Sequence, residues 1–261
     1  MPPRTIMGIN QLSPSEKREI YSRLIPPVLL RYFHIDPSLK DPEGNDLMTL
    51  KASSGSPVVE LALHHKIGFP DPVLYGQMTD TVNGQIHVLL YILNDPDSPR
   101  FNVDRLPNGE STRFGTTSRN IEVEVAALRA GLAPGQVRHG LRMLSPAIER
   151  FEHFVQSLGH DLYFVEPLYY HNAVVFERYG FGYLKGRRLM ERFNRGFAPE
   201  GDLLPLLDGS TPFRQPEAAR SIRLRSWAIH DNILGEPFDK VTMYKEVGKS
   251  MNLDSCEGCE W

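Results

Sequence analysis

Cysteine is nearly absent from this chain. Two occur in 261 residues, Cys256 and Cys259, so no disulfide framework can hold the body of the fold together. Long apolar runs are missing as well. The longest, His87 to Leu93, is far too short to span a bilayer. The first residues, Met-Pro-Pro-Arg-Thr, contain no apolar stretch of the kind that directs secretion, and the cytoplasm is the expected address. Charge of one sign is lacking too. A net charge of −3 creates no field that would gather nucleic acid or anionic lipid. What remains is an ordinary globular composition, 41% hydrophobic and 23% charged, long enough for a sizeable core.

Local signals outline a mixed α/β pattern. Ser13 with Pro14 and Glu16 reads as a capped helix start, and that helix stops before Pro26-Pro27. Val28 to Phe33 is a short apolar segment. Leu47 to Ala52 reads as a strand, and Ser56-Pro57 as the start of a helix to about His65, with His64-His65 half exposed on it. Val73 to Thr81 and Gln85 to Leu93 flank Asn83-Gly84, a dipeptide suited to tight hairpins because both residues tolerate positive φ. Residues 94–119 form a long loop, rich in Pro, Asp, Gly, Asn and Ser.

Asn120 to Leu128 alternates strictly and reads as a strand. Glu122 and Glu124 would share one face of it, about 7 Å apart. From Val137 to Leu158 apolar residues step by four and three, giving one long amphipathic helix ended by Gly159. Asp161 to Glu166 reads as a strand, Asn172 to Tyr179 as a helix closed by Gly180, and Phe181 to Leu184 as a strand. A basic helix from Arg187 to Arg195, a helix from Pro216 to Leu234 and a last strand from Val241 to Val247 complete the pattern. Residues 249–261 read as a polar, frayed tail.

Three segments carry a family resemblance. Asn172 to Phe181, Asn-Ala-Val-Val-Phe-Glu-Arg-Tyr-Gly-Phe, resembles the late helix and following strand of the GNAT N-acetyltransferases. Pro134 to Leu144 looks like that family's pyrophosphate loop and the helix behind it, and Val241 to Val247 is similar to its closing strand. The resemblance implies a GNAT-like central mixed sheet flanked by helices over residues 45–248. A helical insertion at 187–237 would precede the last strand, and residues 1–44 would form an N-terminal helical arm. It also implies an acyl-CoA-dependent N-acyltransferase using acetyl-CoA or another acyl-CoA, acting on a small-molecule amine.

On that resemblance Gln136, Val137, Arg138, His139 and Gly140 offer main-chain or cationic contacts to pyrophosphate, and Asn172 and Phe176 border the cofactor. The chain departs from the family pattern at three points. Val137 holds the place of an Arg or Gln, Arg142 that of a second small residue, and Phe176 that of the tyrosine acid. Tyr170 or His171 would then supply the acid. In the family two central strands splay into a cleft, so Glu124 and Glu166 would face it as candidate bases.

The alternative is a GNAT-like fold with a degenerate CoA site that takes another ligand or a metal. His171, the carboxylates and a distant His230 are ligand types for Fe, Mn or Zn, but no ligand spacing supports them and no metal is expected. Cys256 and Cys259 read as half a zinc knuckle, a redox pair, or part of the frayed tail. The basic run at 185–195 reads as a solvated helix face. The arm and the insertion together offer a homodimer surface.

Overall fold

The computed structural model describes residues 3–115, 117–236 and 238–261. In chain order the elements are α1 (Ile6–Asn10), α2 (Pro14–Ser22), α3 (Pro27–Tyr32), β1 (Met48–Lys51), β2 (Val58–Leu63), β3 (Leu74–Asp80) and β4 (Ile86–Leu93). There follow α4 (Ile121–Arg129), α5 (Leu144–Ser157), β5 (Leu162–Val165), α6 (Tyr170–Arg178), β6 (Gly182–Lys185), α7 (Arg187–Gly196), α8 (Ile222–His230) and β7 (Thr242–Glu246). The fold is mixed α/β with a mostly antiparallel open sheet. Among the described residues no helix is long and apolar enough to cross a membrane.

The chain divides into two compact units. The first takes Met1–Asp97, Gly140–Glu166 and Tyr244–Lys249. Its strands β1 to β4 form an antiparallel meander, with β5 parallel to β4 and β7 beyond β5. The hairpin between β3 and β4 turns at Gly84, where φ is +77°. The capping box at Ser13 and Glu16 forms as the sequence indicates.

Residues 1–44 are not a separate arm. Ile6 and Ile9 are fully buried, and both carboxylate oxygens of Asp80 accept the first amides of α1. Residues 57–65, expected as a helix, hold β2 instead. Val59, Leu61 and Leu63 point inward while their neighbours do not, so the period is two, and ladders to both β1 and β3 outweigh any cap at Ser56.

The expected helix from Val137 begins only at Leu144. Pro146 is its third residue, where a missing N–H costs nothing; in the interior of a longer helix it would remove a hydrogen bond. The α5 side chains Phe151 and Phe154 pack on Tyr163 and Tyr21 at ring distances of 4.8 and 6.3 Å.

The second unit takes Ser98–His139, Pro167–Met243 and Ser250–Trp261. The expected strand at 120–128 is helix α4. Asn120 caps it through Val123 N–H, and Ala126, Ala127 and Leu128 are good helix formers. Two residues on a helix are about 200° apart, so Glu122 faces solvent while Glu124 faces inward. The expected helix at 216–234 is a short 3₁₀ turn over Pro216–Arg220 followed by α8, which Ser221 caps.

Val137 and Trp227 lie in this unit's core with Val103, Ala127, Leu132 and Phe213. Residues 250–261 are not frayed. Met251 N–H reaches Gly180 O, Glu260 bonds Arg220 and Ile222 through its backbone, and Cys256 and Cys259 are joined by a disulfide.

Candidate functional site

The second unit gathers a buried set of charged and aromatic side chains. Glu124 projects from the inner face of α4 and is 1% exposed. Arg119, just before α4, donates from Nε to Glu124 Oε2 at 2.8 Å, and His230 Nε2, at the end of α8, lies 3.2 Å from Oε1. The same arginine donates from Nη1 to Asp231 Oδ1 at 3.0 Å. Asp231 Oδ2 in turn accepts from Arg214 Nε at 3.0 Å and Thr211 at 2.9 Å. Two carboxylates and two guanidiniums thus close on one another.

Electrostatics follow from that closure. Burial alone would raise the Glu124 carboxyl, but hydrogen bonds and charge from His230 and Arg119 outweigh it and hold the group below its usual value. Tyr169, at the head of α6, stacks on His171 at 5.7 Å and meets His230 edge-on at 5.6 Å. Burial pushes its phenol up, so it stays a donor, and the hydroxyl bonds Phe114 O.

His171 is buried, with Nδ1 2.9 Å from Ser226 Oγ and Nε2 3.1 Å from Asn172 Nδ2. With the Asn172 amide donating, Nε2 accepts and Nδ1 carries the hydrogen. Burial first, and the neighbouring His230 second, lower the His171 pKa to about 3. A group held neutral this far down is no proton donor at neutral pH, which removes His171 as the acid.

The other sequence candidates land elsewhere. Tyr170 is 0% exposed, packed edge-on against Phe193 at 5.5 Å with the Arg225 charge beside it. Glu166 ends β5 in the first unit and is exposed, its N–H bonded to Val88 O. Because α4 is a helix, Glu124 and Glu166 do not line neighbouring strands as the resemblance implied. Phe176 packs on Phe181 at 4.9 Å, while Tyr179 is exposed.

The loop expected to hold pyrophosphate is largely spent on itself. Gln136 N–H bonds Ala133 O, and its side chain accepts Ala133 N–H at 2.8 Å. Val137 is buried, Arg138 donates to Ser98 O, and His139 N–H bonds Ser98 Oγ at 3.2 Å. His139, Gly140 and Arg142 stay exposed in the turn before α5, whose first turn has no side-chain cap. The chain matches no protein-family model, no characterised protein and no solved structure.

Among the described residues no group of three or more His, Cys, Asp or Glu side chains is arranged to hold a metal ion. Glu124 and His230 are engaged with each other and with Arg119. Sequence reading missed Arg119, Arg214 and Asp231 as a network. They are joined by contacts spanning up to 112 residues, and no local periodicity announces such a contact.

One glycine is required for the arrangement. Gly135 has φ +78°, and a Cβ there would sit 2.4 Å from the Tyr169 ring. Gly135→Ala is expected to cost about 2–5 kcal/mol, summing left-handed strain and overpacking. Urea denaturation measures it, and a loss within experimental error of zero would contradict the close approach.

Proposed function

We propose that the chain is an acyl-CoA-dependent N-acyltransferase whose donor enters the first unit's sheet where β4 and β5 part. One observation carries the reading. β5 pairs with β4 only at His87↔Phe164 and Val88↔Val165. On the other side of β4, Met78 pairs with Val88 and Gln77 with Leu90, so Leu89 is an extra, bulged residue. A bulge bends its strand and is common beside active sites. Beyond Leu89, β4 continues to Leu93, and among the described residues no strand pairs with that half on the β5 side; it lies at the carboxyl end of a parallel pair, where α/β sheets commonly bind ligands. An acyl donor's amide groups can add to such an edge.

The chemistry needs an anion site, an acid and a base. Gly140 bridges Asn94, which ties the turn before α5 to the end of β4. The uncapped start of α5 and the exposed Arg142 then offer amides, a helix dipole and a cation to pyrophosphate. Tyr91 lies on the open half of β4. Its hydroxyl is buried without a hydrogen-bond partner among the described residues, and burial raises its pKa. A protonated phenol so placed suits the role of acid to the departing thiolate. Glu166, exposed where β5 ends, serves as base through water.

Tyr91→Phe is the test of that assignment. With acetyl-CoA and a panel of primary amines, kcat is expected to fall about 100-fold, at the lower end for general acid catalysis, with KM little changed. Equal kcat in the variant would remove Tyr91 from the reaction. A second reading, a different small ligand in the same opening, is favoured by the self-bonded loop at 134–139; it predicts ligand binding without CoA release.

A further inference from the structure

We propose that Cys256 and Cys259 form a redox-active disulfide that exchanges electrons with a dithiol, with Arg225 stabilising the thiolate released on reduction. Three observations in the second unit carry this, and none depends on the acyltransfer reading.

The first is the ring itself. The bond links residues three apart, so it closes one of the shortest loops a disulfide can close and removes little unfolded-state entropy. As a structural staple it gains less than almost any other pairing.

The second is an asymmetry of exposure. Cys256 is 0% exposed whereas Cys259 is half-buried, so an external thiolate can approach only the Cys259 sulfur. The third is the cation behind the buried sulfur. Arg225 Nη1 lies 3.0 Å from Cys256 Sγ, and Nε and Nη2 are both engaged with the Ala219 carbonyl. Arg225 is buried, and it also acts on the buried Tyr170 hydroxyl, which feels the charges of Glu177 and Asp254 as well. A buried guanidinium gains from an anion in direct contact. Reduction of the disulfide places one against Nη1.

The exchange balances as follows. The thiolate of the dithiol attacks Cys259 Sγ. A sulfur–sulfur bond forms to Cys259 as the Cys256–Cys259 bond breaks, and the electron pair leaves on Cys256 Sγ, paired with Arg225. The second thiol of the dithiol gives its proton to solvent and attacks its own partner sulfur in the mixed disulfide. Cys259 is expelled as a thiolate and takes a proton from water. The dithiol ends as a disulfide, and the protein has gained the two electrons. A stabilised leaving thiolate speeds the first step and makes the disulfide the stronger oxidant.

The bond also fastens a strap. Cys259 O accepts from Arg178 at 3.1 Å, the Glu260 backbone bonds Arg220 and Ile222, and Trp261 meets the His171 ring edge-on at 6.0 Å. Reduction frees that end of the chain and shifts Trp261 fluorescence.

The full-length folded protein is equilibrated in buffers of reduced and oxidised dithiothreitol, then trapped with a maleimide and weighed. Reduction of both sulfurs together, without loss of far-ultraviolet circular dichroism, is expected. Arg225→Gln is expected to move the equilibrium at least tenfold towards the disulfide, about 30 mV. Since Arg225 also supports the fold, a second variant decides independently. In Cys259→Ser the lone Cys256 thiolate, followed by absorbance at about 240 nm against pH, is expected to appear at least one unit below the ordinary thiol value near 8.5. A bond that yields to dithiol only after unfolding overturns the proposal, as does a Cys256 thiol that titrates at or above the ordinary value.

Discussion

Acidification from about pH 8 to about pH 4.5 is expected to cost about 3 kcal/mol through His171 alone. The native imidazole is buried and titrates only near 3, against an ordinary value of 6.5. The folded pKa lies below the unfolded one, so the unfolded chain takes up the proton first. The stabilisation is therefore complete above about pH 6.5 and drains away as pH falls towards the folded value. Desolvation is the main cause and the neighbouring His230 the lesser one. Urea titrations at several pH values, on the parent chain and on His171→Gln, measure the effect. The variant is expected to lose stability with a visibly flatter slope between pH 6.5 and 4.5. Identical slopes would mean that His171 is solvated and titrates normally.

Glu124→Ala is expected to cost about 3–5 kcal/mol, because removing one partner leaves the other buried charges uncompensated. For a chain of this size that lowers the melting midpoint by about 10 °C. Arg119 would keep Asp231 but lose its second carboxylate, and His230 would lose the oxygen 3.2 Å from Nε2. Glu124 has its own pH window. Its pKa is lowered in the fold, so its contribution is present above the ordinary carboxylate range and is lost only as pH falls below about 4.5. The two groups are thereby separable, with His171 acting at higher pH. A Glu124→Ala melt within about 2 °C of the parent would show that the network is solvated.

Some of this molecule is legible from the residue order. The capping box at Ser13, the turn at Asn83-Gly84, and the run of β5, α6 and β6 around Gly180 all rest on signals confined to a few residues. The mixed α/β class follows from them. Where tertiary pairing decides, sequence reading fails. Val58 to Leu63 becomes a strand because β1 and β3 flank it. Ile121 to Arg129 alternates like a strand, but Asn120 caps it and the alanines favour helix, which turns Glu122 and Glu124 to opposite sides. The onset of α5 was set by Pro146, not by the apolar stripe that runs on upstream.

The candidate site shows the same division. Glu124 and His171 are both perturbed, yet the role of Glu124 as base rests on a strand that is a helix, and His171 is held neutral by burial and cannot serve as the acid. His230 drew notice only as a potential ligand; its companions Arg119, Arg214 and Asp231 belong to loops or helix ends and drew none. The bulge at Leu89 leaves no mark in composition, because Val-Leu-Leu-Tyr reads as any other buried strand. Its position is fixed by the pairing on either side of β4.

The most direct test is calorimetric titration of the protein with acetyl-CoA and with a long-chain acyl-CoA. Saturable one-to-one heat with at least one donor, weakened tenfold or more by Arg142→Glu, is the expected result. No heat from either donor would contradict a thioester site at the opening between β4 and β5.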